Sequence, residues 1–79
     1  MRESMHCYGY IKNSDAEAPS ELDEATIAAD PGTLREIARF LTHVADLMDQ
    51  HGDRFGHEHF EDFGKRREGE CRLVVTRER

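Results

Sequence analysis

A long amphipathic segment that begins at Asp30-Pro31 constrains the fold of this chain more than any other feature. Asp is a preferred N-cap, Pro is favoured at the first helical position, and the residue before a proline is pushed out of the helical region. From there to about Gln50, apolar residues recur at three- and four-residue steps: Leu34, Ile37, Ala38, Leu41, Val44, Ala45 and Met48. The pattern predicts one helix that buries this stripe and ends at His51-Gly52.

Three further segments have the composition of β-strands. Residues 5–12 alternate and are rich in tyrosine, and residues 71–76 have high β propensity. Residues 21–29 are a less regular strand, in which Thr26 and Ile27 stand among helix formers. A polar, proline-containing loop at residues 13–20 separates the first two strands, which predicts a hairpin. The predicted order is therefore β-β-α-β.

This order predicts an α+β fold in which a three-stranded sheet is covered on one face by the single long helix. If the second and third strands were parallel neighbours, the crossover between them would be right-handed. The other face of the sheet, with Tyr8 and Tyr10, is left without cover and is therefore a candidate interface. We expect one domain over residues 1–79, with an ordered core at about residues 5–76.

The size and charge of the chain restrict its partners. A chain of 79 residues buries about 60% of the surface that its unfolded form exposes, so a homodimer is a possible source of extra stability. The net charge is −6, and the acids concentrate at residues 15–24 and 46–62. A negative surface repels phosphate backbones, which argues against nucleic acid, and attracts a basic protein. The alternative is that these charges serve solubility alone.

The two cysteines, Cys7 and Cys71, lie in apolar strand-like runs and have no metal-ligand spacing. We predict two buried, reduced thiols, as expected in a reducing compartment. The chain has no apolar run of signal-peptide length and no apolar stretch of membrane-spanning length. The sequence therefore predicts a cytoplasmic protein that does not bind a membrane.

The segment "HGDRFGHEHFEDFGKR" is the densest cluster of chemically active side chains. Its histidines, His51, His57 and His59, are the candidates for a metal site together with neighbouring acids. "HEHFED" lacks the four-residue spacing that places two histidines on one helical face, whereas on a strand His57 and His59 would share a side. We therefore predict no metal site and no cofactor. If a metal ion were bound, His51, His57 and His59 would be its candidate ligands.

Acid–base catalysis is a second interpretation of the same segment. His57 beside Glu58, or His59 near Asp62, has the composition of a His-carboxylate pair. No nucleophile motif or glycine-rich phosphate loop accompanies them, and a domain with one helix offers little wall for a substrate pocket. We predict that the protein is not an enzyme and has no catalytic residues.

A structural interpretation accounts for more of the segment. Phe55, Phe60 and Phe63 are spaced to close the open end of a helix–sheet sandwich while the charges between them stay solvated. One short helical turn is predicted at residues 58–63, within an otherwise irregular stretch over residues 53–70. Residues 77–79 are predicted to be a ragged end.

The helix motif "PGTLREIARFL" and the following "HGDRFGHEHFEDF" resemble the immunity protein 32 family of bacterial polymorphic toxin systems. The resemblance covers roughly Gly9 to Phe63, and its most distinctive part is the HEH-centred segment. Matching residues on the helix are Leu34, Arg35, Ile37, Ala38, Phe40 and Leu41. In the second segment they are His51, Gly52, Phe55, His57, Glu58, His59, Phe60, Asp62 and Phe63.

The resemblance implies an antitoxin that neutralises a cognate toxin by stoichiometric binding, and it implies no catalytic residue. Aromatic and charged residues are the candidates for toxin contact: Tyr8, Tyr10, Asp53, His57, Glu58, His59, Glu61 and Asp62. The alternative function is that of a small homodimeric module with a His-rich metal-binding segment, either a metal sensor or an enzyme.

Overall fold

The computed structural model describes residues 5–63 and 71–77. In chain order the elements are β1 (Cys7–Gly9), β2 (Ser20–Leu22), α1 (Pro31–His51), a 3₁₀ turn (Gly52–Arg54), β3 (His57–His59), α2 (Phe60–Phe63) and β4 (Val74–Thr76). Within the described residues the strands form two separate antiparallel sheets, β1–β2 and β3–β4. The α+β class is as predicted.

The predicted three-stranded sheet under one helix is wrong. The last strand, β4, pairs antiparallel with β3, so that His57 faces Thr76 and His59 faces Val74. The sequence interpretation missed β3 because the triplet His-Glu-His has little intrinsic β propensity. The pairing with the valine-rich β4 forms this strand, and β4 does not pair with β2 in the described part of the chain. The hairpin prediction is confirmed, although β2 ends at Leu22 rather than at residue 29.

Helix α1 begins where the sequence predicts. The backbone N–H of Leu34 donates to the carbonyl of Asp30 at 3.0 Å, which is the first helical hydrogen bond. The Thr33 hydroxyl donates to the Asp30 carboxylate at 2.5 Å, and this hydrogen bond lowers the pKa of the exposed Asp30 carboxyl. At the other end Gly52 has a φ of 54°, a conformation that favours glycine, and its N–H donates to the carbonyl of Met48.

The core of the described residues is small and aromatic. Phe40 and Val44, both on α1, are the fully buried hydrophobic side chains. The Phe40 ring packs in tilted geometry against Phe60 at a centroid distance of 5.2 Å and against Phe63 at 5.6 Å. Of the three phenylalanines predicted to close a helix–sheet sandwich, Phe60 and Phe63 do pack on α1, although the sandwich itself does not form in the described residues.

The predicted apolar stripe of α1 is only partly buried. Leu34 is 44% exposed and Leu41 is 47% exposed, and Ala38 and Ala45 are exposed as well. The physical reason is that the strands form two separate pairs and not one three-stranded sheet. A pair of strands with a four-residue helix covers a narrower strip of α1 than a three-stranded sheet would, and Phe40 rather than Leu41 lies at the centre of that strip.

The cysteines correct one further prediction. Both are free, but Cys7 is only half-buried and Cys71 is exposed, so the prediction of two buried thiols is wrong. Its thiol donates to the Arg72 carbonyl at 3.4 Å. The residue lies just before β4 rather than within it, which removes the burial that a strand interior was expected to give.

Candidate partner-binding surface

Strand β3 presents a pair of histidines. In a strand alternate side chains share a face, so His57 and His59 lie on the same side, and their ring centroids are 5.0 Å apart in edge-on geometry. Thr76 stands opposite His57 in β4, and its hydroxyl donates to the Gly56 carbonyl at 3.0 Å. This hydrogen bond fixes the backbone on which the histidine pair begins.

The acidic residue between the histidines has a different environment. Glu58 points to the opposite face of β3 and is half-buried, as is Val75, its partner in the register. A half-buried carboxylate beside a valine is less free to meet a partner than an exposed one. The structure therefore separates Glu58 from His57 and His59, although the three are consecutive in the chain.

Helix α2 carries two further acids on an aromatic support. The N–H of Phe60 donates to the Leu73 carbonyl at 2.8 Å, which ties the start of α2 to the segment before β4. Asp62 is exposed. Glu61 is half-buried and lies 3.9 Å from Arg72 across an exposed ion pair, so part of its charge is already balanced. Of the two acids, Asp62 is the better placed for contact with another protein.

Asp53 is one of the residues that line a partly open cleft. The cleft holds about 250 Å³ and is lined by Asp53, Phe55, Gly56, Thr76 and Arg77. Asp53 is exposed, while Phe55 is half-buried and forms part of the wall. An exposed carboxylate on a turn next to β3 extends the acidic surface beyond α2.

Arg77 was predicted to be part of a ragged end, and that prediction is wrong for this residue. Its Nη2 donates to the carbonyl of Met48 at 3.1 Å, in the last turn of α1. Its Nε is buried and has no acceptor among the described residues. The sequence contained only a general indication of this contact. The last carbonyls of a helix need hydrogen-bond donors, and cations are favoured near them. Residues 78–79 of the predicted ragged end lie outside the described residues.

The tyrosines among the predicted contact residues belong to the other sheet. Tyr8 is in β1 and Tyr10 follows it, and their exposed fractions are 59% and 65%. The predicted set of contact residues therefore divides into the tyrosines of the hairpin and a second group near β3. Without Glu58, which faces the other side of β3, the second group consists of Asp53, His57, His59, Glu61 and Asp62, and we call it the β3–α2 surface.

The metal candidates do not form a complete ligand set in this structure. His57 and His59 are close together, whereas His51 lies at the end of α1. In the part of the chain that the structure describes, no three His, Cys, Asp or Glu side chains converge in a way that would hold a metal ion. Of the predicted segment at residues 53–70, positions 64–70 lie outside the described residues.

Comparison with known protein families identifies a match over most of the chain. A family model described as Immunity protein 32 matches residues 24–78, that is, everything from the segment before α1 through β4. No curated protein and no solved structure matches the chain. Within residues 5–63 and 71–77, no helix has the length and apolarity required to cross a lipid bilayer.

Proposed function

Because the chain belongs to the Immunity protein 32 family, we propose that it binds and neutralises a cognate bacterial toxin as a stoichiometric protein partner. The match over residues 24–78 is the observation that carries this proposal, and it agrees with the resemblance in the helix and the HEH-centred segment. In this role the protein acts by occupying a surface of the toxin, and it performs no chemistry itself.

The charge distribution supports a basic toxin surface as the contact. The chain has a net charge of −6, and Asp53 and Asp62 are exposed on the β3–α2 surface. Complementary potentials accelerate encounter and set register more than they add raw affinity. A toxin that acts on phosphate-bearing substrates needs basic side chains at its active site, and an acidic partner is suited to cover them.

The construction of the β3–α2 surface supports a preformed contact. Phe60 and Phe63 pack on the buried Phe40, and the Phe60 N–H is bonded to Leu73. Apart from Asp53 in the 3₁₀ turn, the charged residues therefore stand on β3, which pairs with β4, and on α2, which packs on α1. A rigid surface loses little conformational entropy on binding. The histidine pair adds two ring edges that offer donors or acceptors to a partner.

The experiment is coexpression with the toxin domain from the neighbouring gene, read out by growth protection and by copurification. Wild-type protein is expected to restore growth and to form a stoichiometric complex. The double charge reversal Asp53→Lys and Asp62→Lys is expected to slow association by about tenfold or more and to weaken the dependence of the rate on salt.

The matched control is the double reversal Asp15→Lys and Asp23→Lys, which makes the same charge change in exposed residues outside the family match. It is expected to keep most of the association rate. Absence of both binding and protection by the wild type would overturn the proposed function. Equal loss in the two double variants would instead show that net charge, and not the β3–α2 surface, directs the encounter.

A further inference from the structure

One face of α1 is apolar and exposed along most of the helix. Leu34, Leu41 and the half-buried Met48 are spaced by seven residues, and Ala38 and Ala45 form a parallel row beside them. Successive residues of a helix are rotated by about 100°, so these five form one continuous stripe beside the core-facing strip. We call them the α1 stripe. Alternating large and small residues on one face are suited to pack closely against another helix.

The charges beside the α1 stripe change sign along the helix. Arg35 lies near its N-terminal end and Asp49 near its C-terminal end, and both are exposed on the same flank. Neither residue has an ion-pair partner within the described ranges 5–63 and 71–77. A helix that is basic at one end and acidic at the other end of the same flank is complementary to an antiparallel copy of itself.

We propose that the chain forms a homodimer in which the α1 stripes of two copies pack antiparallel about a two-fold axis near Leu41. In this arrangement Leu41 meets Leu41 of the second copy, Leu34 faces Met48, and Ala38 lies near Ala45. Arg35 of each copy then reaches Asp49 of the other, which gives two identical ion pairs. Reciprocal contacts of this kind are what a two-fold axis requires.

The size of the buried core supports a second copy as the occupant of this face. Phe40 and Val44 are the fully buried hydrophobic side chains of the described residues, which is little for a chain of 79 residues. Small domains commonly gain the missing burial by oligomerisation. The α1 stripe and the β3–α2 surface share no residue. The dimer can therefore be tested independently of the proposed toxin contact.

Sedimentation over about a hundredfold range of concentration tests the dimer. Wild type is expected to shift from monomer to dimer. Arg35→Asp places like charges opposite each other and is expected to weaken dimerisation by about tenfold or more. Combining it with Asp49→Arg restores the ion pair with the charges exchanged and is expected to recover the dissociation constant of the wild-type dimer. Arg39→Asp, the same change about 140° from the centre of the α1 stripe, is the control and is expected to have little effect.

Cross-linking tests the orientation of the two helices. In a background with Cys7→Ser and Cys71→Ser, the variant Leu41→Cys is expected to form a disulfide-linked dimer under mild oxidation. Leu34→Cys is expected to remain monomeric, because two such residues would be about 21 Å apart along an antiparallel pair. A parallel pair would instead cross-link at both positions.

Three outcomes would overturn the proposal. The first is a wild-type protein that stays monomeric throughout the concentration range. The second is a dimer that Arg35→Asp leaves intact or that the added Asp49→Arg fails to restore. The third is equal cross-linking of the two cysteine variants. Folding of each variant is checked by circular dichroism. Since all the substituted side chains except the half-buried Cys7 are exposed, the helical signal is expected to match that of the wild type.

Discussion

The β1–β2 hairpin and the unit formed by α1, α2 and the β3–β4 sheet are stabilised in different ways. In the unit, the buried Phe40 holds two further aromatic rings, and Arg77 binds the end of the helix. In the hairpin, Leu22 is 39% exposed, and an exposed His6–Glu21 pair at 2.8 Å joins side chains across the two arms. The family match covers the unit and leaves out the hairpin.

This difference shows where a short chain concentrates its stability. Burial of apolar area is the dominant favourable term, whereas an exposed ion pair is worth about 0–1 kcal/mol. A two-stranded hairpin without a packed face is at best marginally stable on its own. We therefore expect the unit to determine the main unfolding transition and the hairpin to contribute little to it.

The largest effect is expected for Phe40→Ala. Its ring is fully buried and contacts both Phe60 and Phe63, so the change removes the centre of the aromatic cluster and leaves a cavity. We expect a loss of about 3–5 kcal/mol in the free energy of unfolding, measured by chemical denaturation. Phe63→Ala makes the same change in a ring that is 40% exposed and is expected to cost clearly less. Equal losses in the two variants would contradict this account of the core.

A smaller effect within the unit is expected for Arg77→Ala. The change removes the donor to the Met48 carbonyl and a cation at the C-terminal end of α1. We expect a loss of about 1.5–3 kcal/mol, the range for hydrogen bonds to charged groups. Arg77→Lys keeps the charge without the planar guanidinium and is expected to recover part of the loss. An unchanged denaturation midpoint for Arg77→Ala would show that this contact does not hold the helix end.

The same contrast explains what could be predicted from the sequence. Asp30-Pro31 and His51-Gly52 are local signals, and they placed both ends of α1 correctly because capping depends on neighbours in the chain. The hairpin was also found, since alternation and an intervening polar loop are local. The resemblance to the Immunity protein 32 family, which the helix motif and the HEH-centred segment carry, is confirmed by the family match.

The largest errors involve contacts between residues far apart in sequence. Strand β3 exists because β4 pairs with it, and nothing within His-Glu-His indicates that partner. Because β4 was assigned to a sheet with β2, the predicted sheet covered too much of α1. Leu34 and Leu41 were therefore predicted to be buried, whereas both are exposed. Arg77 was missed for the same reason, because its acceptor lies 29 residues earlier. Among the predicted contact residues, β3 separated Glu58 from its neighbouring histidines.

The smallest effect on the main transition is expected for Glu21→Pro, at the centre of β2. Proline cannot donate to the ladder and is poorly tolerated inside a strand, so the pairing of Glu21 with Tyr8 is expected to be lost. Hydrogen exchange should report loss of protection in β1 and β2, while α1 keeps its protection. The free energy of the main transition is expected to change by less than about 1 kcal/mol, in contrast to Phe40→Ala.

Glu21→Gln is the matched control for this experiment. It removes the charge that faces His6 but keeps the backbone N–H, so the hairpin is expected to persist with a change of about 0.5 kcal/mol or less. If Glu21→Pro instead lowered the stability of α1 as much as Phe40→Ala does, the hairpin would be an integral part of the core. The contrast between a stable unit and a marginally stable hairpin would then be wrong, because loss of strand pairing can destabilise α1 only if the hairpin and α1 unfold cooperatively.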